Sequence, residues 1–292
     1  MTSRTVEVTN PDKVLWPAPG ITKRQYVGYL ESVADLMLPW LHDRPLSLVR
    51  APDGVEGERY FQKNTPKYAP EWVKTVTIPA PSAKRDVAYT VCNDVETLRW
   101  LGNQAALEFH PAPVRRDRLD KPDQLVVDID PPDAAFDAAV EVALLVLEVT
   151  DDLGLTTLLK TTGGKGLHVV ILIQRHVSSG ELRHAADRLT EIVMERRPDL
   201  VTAEFRKEDR RGRVMLDPSR NSTGATMVAP YSPRAREDAT VSFPVVADEL
   251  GSVDPSEFTV VSAPRLLDRR GPARWASPEG RAPQRLPREL LR

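Results

Sequence analysis

Two apolar segments, Thr156–Thr161 and His168–Ile173, read as strands, and only Thr162-Gly163-Gly164-Lys165-Gly166-Leu167 stands between them. A parallel pair needs a crossover of a dozen or more residues, so this junction must be a hairpin between antiparallel strands. That excludes an all-parallel, doubly wound sheet in the middle of the chain. The neighbouring segments extend the pattern. Gln124–Asp130 is a Val- and Ile-rich strand, followed by a helix over about 134–153. After the hairpin come a helix over 180–196 and strands near Val201 and at Arg213–Asp217. Strand, helix, hairpin, helix and strand in that order predict an α+β fold with mainly antiparallel or mixed sheets.

The first third of the chain is less regular. A helix is predicted over Lys23–Leu38, capped by Thr22 with Gln25 in the capping-box position and stopped by Pro39. Strands are predicted at Pro45–Val49 and Val87–Cys92, and a helix over Val95–Leu107 with Asn93 or Asp94 as its cap.

Composition narrows the class. With 41% hydrophobic and 28% charged residues in 292, the chain can build a core, so whole-chain disorder is excluded. A single cysteine, Cys92, excludes a disulfide framework and a four-cysteine zinc site. The longest apolar stretch, Ala138–Val149, is broken by Glu141 and Glu148, and a membrane span needs ~20 residues. The N-terminus shows no secretory leader, so a cytoplasmic protein is expected. The net charge is −2, unevenly spread. Residues 264–292 carry eight Arg against three acids, a net of +5, which leaves 1–263 at −7. The basic segment is either a solvated wrapping tail or a phosphate contact.

Three short motifs carry chemistry. Asp128 and Asp130 flank Ile129 on a strand, so both carboxylates point to one face and repel each other. A hard divalent cation relieves that repulsion, although two solvated acids at a strand end are also common. Asp217 closes a second apolar strand, again directly before a proline, where it is either a third ligand or a turn-initiating residue. In Thr162–His168 the glycines admit an anion close to the backbone and Lys165 adds charge, but the spacing is not that of a Walker A loop. Taken alone, a hairpin turn and a core histidine are the better readings of these residues. Arg206, Lys207, Arg210, Arg211 and Arg213, interleaved with Glu204, Glu208 and Asp209, read as a solvated, self-paired surface.

Together, VVDIDPP, TTGGKGLHVVI, VMLDPSRN and MVAPYSPRA resemble the archaeo-eukaryotic primase superfamily. They look most like the polymerase domain of bacterial ligase D and stand-alone bacterial primase-polymerases, from about Val8 through Phe243. The resemblance implies a primase-type, RRM-like catalytic core with flanking helices. It implies a catalytic domain over 1–263, with the 5′-phosphate and base-stacking residues in 1–110 and the metal site in 111–263, and the tail over 264–292. Asp128, Asp130 and Asp217 would be catalytic ligands for two Mg²⁺ or Mn²⁺ ions. Thr162, Lys165, His168, Arg220, Arg234, Arg50 and His110 would bind the NTP or dNTP substrate. Phe61, with Tyr60 behind it, would stack on the base. Asn10, Lys13 and Lys23 would hold a DNA 5′-phosphate, and Ala83–Asp86 resembles part of a loop that meets a second DNA end. Thr162 stands where the family usually has Ser, and Arg220 where Gln is more usual.

The expected activity is template-dependent nucleotidyl transfer that fills short DNA gaps, with ribonucleotides preferred. The expected partners are gapped or broken DNA carrying a 5′-phosphate and a separate ATP-dependent DNA ligase. A monomer in the cytoplasm, associated with the nucleoid and not with a membrane, is expected. End joining is the alternative duty, and a non-catalytic DNA-end-binding module a further one. The absence of a Cys/His zinc cluster weighs against a de novo primase.

Overall fold

The structure, a computed structural model of the chain, describes residues 6–80, 85–132, 135–271 and 281–292. The chain divides into two compact units. The first comprises Met1–Ala112, Val228–Ser242 and Ser256–Ser277, and the second Pro113–Met227, Phe243–Pro255 and Pro278–Arg292.

In the first unit β1 (Val14–Trp16) and β2 (Ile21–Thr22) form a small ladder that leads into α1 (Lys23–Ser32). Thr22 and Gln25 make the expected capping box. The predicted single helix is instead two. It breaks at Val33, and α2 (Ala34–Leu41) carries Pro39 inside it. Burial of Met37, Trp40 and Leu41 outweighs the one backbone bond that the proline removes. Then follow β3 (Leu46–Arg50), β4 (Tyr60–Gln62), β5 (Thr75–Ala80), β6 (Arg85–Thr90), α3 (Val95–Asn103) and β7 (Ala106–Pro111). The sheet runs β4-β3-β6-β5, with β7 also paired to β3, and every pairing is antiparallel. Asp94 caps α3. That helix ends four residues before the predicted Leu107, because Ala105 takes φ 53° and reverses the chain into β7. A left-handed alanine gives no sequence signal of the kind a glycine would give.

In the second unit β8 (Gln124–Asp130), α4 (Phe136–Asp152), β9 (Leu158–Thr161), β10 (Leu167–Leu172), α5 (Ser179–Arg196), β11 (Val201–Thr202), β12 (Val214–Asp217) and β13 (Pro244–Val245) follow. The sheet order is β11-β12-β8-β10-β9-β13, antiparallel except for β11 with β12. The expected hairpin is present, as β9 and β10 pair directly. One face carries Leu125, Val127, Ile129, Leu167, Val169 and Ile171, all buried in register. Alternation sends Asp128, Asp130 and His168 to the other face.

Residues 264–292 divide between the units. The helix α6 (Ser262–Arg270) belongs to the first. In the second, Gln284 bridges to Ile173 and exchanges hydrogen bonds with the Thr156 backbone, while Leu286 and Leu290 are buried. No helix among the described residues is long and apolar enough to cross a membrane. Of the Ala83–Asp86 segment, Ala83 and Lys84 lie outside the described residues, and Arg85 and Asp86 begin β6 as exposed residues.

Candidate active site

Register alone assembles the centre of the second unit. Asp217 on β12 lies directly across from Asp128 on β8, and His168 on β10 lies across from Asp128 on its other side. Directly opposed residues share a face, so these side chains form a row, with Asp130 two residues along β8 beside it. Arg220, one turn beyond Asp217, reaches back over the row. Its Nε lies 2.9 Å from Asp128 Oδ2 and 3.5 Å from Asp217 Oδ2. One cationic position thus touches both carboxylates. Burial acts to raise the Asp128 carboxyl, but His168 and Arg220 outweigh it and hold the group well below the usual carboxylate range. Burial, and next the charge of Lys160, lower the His168 imidazole to about 4 despite Asp128, so the ring is neutral at pH 7. Its Nε2 lies 3.3 Å from Asp128 Oδ1, while Nδ1 is buried without a hydrogen-bond partner in the described residues.

Asp130 has two cations of its own. Lys165 Nζ lies 3.5 Å from Oδ1 and donates to the Pro131 carbonyl at 2.7 Å. Arg210 Nη1 donates to Oδ2 at 2.9 Å, and its other nitrogens donate to the Glu204 and Phe205 carbonyls. Arg210 is buried, which corrects the solvated reading of its charge run. A desolvated guanidinium keeps its place only with such a full set of acceptors. Nothing in the sequence separates Arg210 from its four basic neighbours.

The hairpin loop is locked to this row. Gly163 takes φ 67°, and a Cβ on Gly166 would lie 2.3 Å from the Ile129 carbonyl oxygen, so only glycine fits there. The Thr162 hydroxyl donates to the Gly166 carbonyl at 3.1 Å and accepts from the Gly164 and Gly166 N–H groups at 3.3 Å. It therefore shapes the loop.

Among the described residues no three His, Cys, Asp or Glu groups converge as a ready-made metal cage. The oxygens face arginine and lysine instead. The donor set nevertheless fits a hard divalent cation. It is all oxygen, it lies on one face, and it already holds positive charge between two carboxylates.

The remaining candidates lie in the first unit. The turn Asn10–Lys13 is folded against the start of α1, where Lys23 N–H donates to the Lys13 carbonyl at 2.8 Å. Lys23 is buried, and burial followed by the Lys13 charge lowers its pKa. Lys13 also pairs with Asp53 at 2.7 Å. Arg50 is engaged by protein groups, donating to the Gln104 carbonyl, Gln62 and the Tyr68 hydroxyl. Tyr60 and Phe61 are consecutive on β4 and point to opposite faces. Tyr60 lies under Arg50, at 5.5 Å. Phe61, 51% exposed, meets the His110 ring edge-on at 5.8 Å. Phe61 therefore offers the open aromatic surface without Tyr60 behind it. His110 and Arg234 are joined by Glu108, a residue that no motif in the sequence singles out.

With this geometry in place, the known proteins that the chain resembles are informative. A family model described as the LigD primase-polymerase domain matches residues 22–274. The chain belongs to this family. It is 36% identical over 270 residues to the multifunctional non-homologous end joining protein LigD of Mycolicibacterium smegmatis, covering 90% of this chain and 34% of that protein. The bifunctional LigD of Bacillus subtilis is 32% identical over 269 residues, covering 91% and 43%. The chain thus spans less than half the length of these relatives. The solved polymerase domain of Mycobacterium tuberculosis ligase D, in complex with DNA, superposes with a TM-score of 0.85 at 32% identity, covering 92% of this chain and 96% of that one. The primase-polymerase resemblance and the α+β fold are borne out.

Proposed function

We propose that this chain is a template-directed repair polymerase that extends a 3′-OH across a short gap in DNA and prefers ribonucleotides. The observation that carries the reading is the row Asp217–Asp128–His168, with Asp130 beside it, on one sheet face of a chain of this family. Asp128, Asp130 and Asp217 are the residues that would hold two Mg²⁺ or Mn²⁺ ions. When bound, such ions lower the effective pKa of the attacking hydroxyl and neutralise the triphosphate. Everything else falls to the chain's own groups. Neutral His168 fixes Asp128 through a hydrogen bond, and its second nitrogen faces the nucleotide. Lys165 brings positive charge to the glycine loop, and Thr162 holds that loop in shape beside the sugar. Arg220 leaves the carboxylates for the triphosphate.

In the first unit, Phe61 stacks on the base, and Arg50, His110 and Arg234 attract the triphosphate. Asn10, Lys13 and Lys23 hold the downstream 5′-phosphate. Lys23 is the first residue of α1, which has no acidic residue in its first turn, and the like-charged Lys13 depresses it. An anion between them gains both the helix dipole and the relief of that repulsion. An ATP-dependent DNA ligase seals the remaining nick.

The names of the relatives favour a second duty, the joining of broken ends. Extension of gapped, nicked and overhanging DNA, with and without a 5′-phosphate, separates the two. Gap filling requires the highest rate on the phosphorylated gap. A chain that extends only paired overhangs is an end-joining polymerase, and one that extends nothing while binding ends is a non-catalytic module.

A further inference from the structure

Glu108 is not among the residues assigned to metal, nucleotide or DNA, yet it touches His110 and Arg234, two of the residues assigned to the triphosphate. It is two residues from His110 on β7, so the side chains share a face. Its Oε2 lies 2.8 Å from His110 Nε2 and 3.2 Å from Arg234 Nε, while Oε1 accepts the Ala235 N–H at 2.9 Å. His110 in turn meets the Phe61 ring. One carboxylate thus ties together β7, the Arg234–Ala235 segment and, through His110, the exposed aromatic of β4.

The burial is graded. The Glu108 side chain is 8% exposed, His110 15% and Arg234 22%, so its two partners stand outward of the carboxylate. An acid that faced a triphosphate directly would repel it. Set behind the Arg234 guanidinium and the His110 ring, it orients them and repels less. Burial acts to raise Glu108, but the His110 hydrogen bond, the Arg234 charge and the Ala235 N–H hold it down at about 2, so it stays ionised.

We propose that Glu108 is a positioning residue that sets His110 and Arg234 for the nucleotide triphosphate and, through His110, sets Phe61 for the base. The proposal rests on the nucleotide reading of those residues. The physical gain is preorganisation. A free arginine surrenders its rotamer freedom when it closes on a phosphate, whereas one already held by a carboxylate has little left to surrender.

The test uses the full chain with Glu108→Gln, which keeps the size and an oxygen for the Ala235 N–H but removes the charge. Affinity is measured by calorimetry for ATP and for inorganic tripolyphosphate, with KM and kcat for single-nucleotide insertion. ATP affinity is expected to fall about tenfold or more and KM to rise with it, while kcat stays within about twofold. Tripolyphosphate, which has no base for Phe61, is expected to lose less. Binding of 5′-phosphorylated DNA is expected to be unchanged. In a His110→Ala/Arg234→Ala background, Glu108→Gln is expected to have no further effect, because a positioning residue has nothing left to position. An equal loss in that background marks a purely structural role and overturns the proposal. So does wild-type ATP affinity in Glu108→Gln when His110→Ala and Arg234→Ala each weaken it. Unchanged affinity in the His110 and Arg234 variants overturns the nucleotide reading and the proposal with it. Should Glu108→Gln fail to fold, Glu108→Asp keeps the charge one methylene back, and an affinity as high as wild type there would contradict the positioning role.

Discussion

The two units reach their candidate functional groups by opposite routes. In the second, three carboxylates and a histidine lie on paired strands, and strand register alone lines them up. In the first, the corresponding groups come from residues 10–23, 50–61, 108–110 and 234, which are far apart in sequence. The electrostatics also differ. The acids of the second unit are neutralised by Arg220, Arg210 and Lys165. In the first unit, the buried Lys23 is depressed by its own burial and by a second lysine. A row of acids clothed in cations suits exchange for divalent metal. Two crowded lysines suit an incoming anion.

The largest expected effect lies in the acid row. Asp128→Ala or Asp130→Ala is expected to lower single-nucleotide extension by at least about a thousandfold, with binding to gapped DNA retained. Quench-flow extension alongside a DNA-binding assay checks this. Near wild-type extension in either variant would break the contrast between the units. Next is Gly166→Ala, whose Cβ cannot fit 2.3 Å from the Ile129 oxygen. A stability loss of about 3 kcal/mol is expected, read from urea melts.

These residues also show what the sequence made legible. The shared face of Asp128 and Asp130 and the strand end at Asp217 were legible because a strand alternates faces and each segment stops at a proline, while their union as one ligand set came from the family resemblance. The hairpin followed from chain length alone. Arg210 could not be separated from Arg206, Lys207, Arg211 and Arg213, since only packing decides which of five similar charges is buried. Glu108 was hidden because β7 begins after a left-handed Ala105, so its first two residues read in sequence as the end of a helix and no strand was predicted there. The break at Val33 was hidden for a similar reason, as tertiary burial overrode the stop signal of Pro39.

The lysine pair gives the next effect. Lys13→Ala with Lys23→Ala is expected to remove the preference for a 5′-phosphorylated gap, about ten- to hundredfold in affinity. Fluorescence anisotropy with 5′-phosphate and 5′-OH duplexes reads it, and a retained wild-type ratio places the phosphate elsewhere. Thr162 sharpens the loop. Thr162→Ser keeps the hydroxyl that organises the hairpin and is expected to preserve the NTP preference, whereas Thr162→Val is expected to reduce it several-fold. Competitive insertion of matched NTP and dNTP decides between them.

A further expected effect is a pH signature in the first unit. Glu108 falls from an ordinary 4.5 to about 2 in the folded chain. A depressed carboxyl stabilises the fold above its unfolded value, and that stability is lost as the pH falls through the folded value. The advantage of wild type over Glu108→Gln, on the order of 3 kcal/mol at pH 7, is therefore expected to shrink between pH 4.5 and 2. Urea midpoints across that range check it, and a constant difference would deny the carboxylate its ionised partners.

The assignment of the acid row to divalent metal is tested most directly by titrating Mn²⁺ into the full chain and following free ion by electron paramagnetic resonance. Wild type is expected to take up Mn²⁺, with Asp128→Asn, Asp130→Asn and Asp217→Asn each losing most of that uptake while keeping the wild-type circular dichroism. Equal Mn²⁺ uptake by wild type and all three variants would place the metal, and with it the chemistry, outside this row.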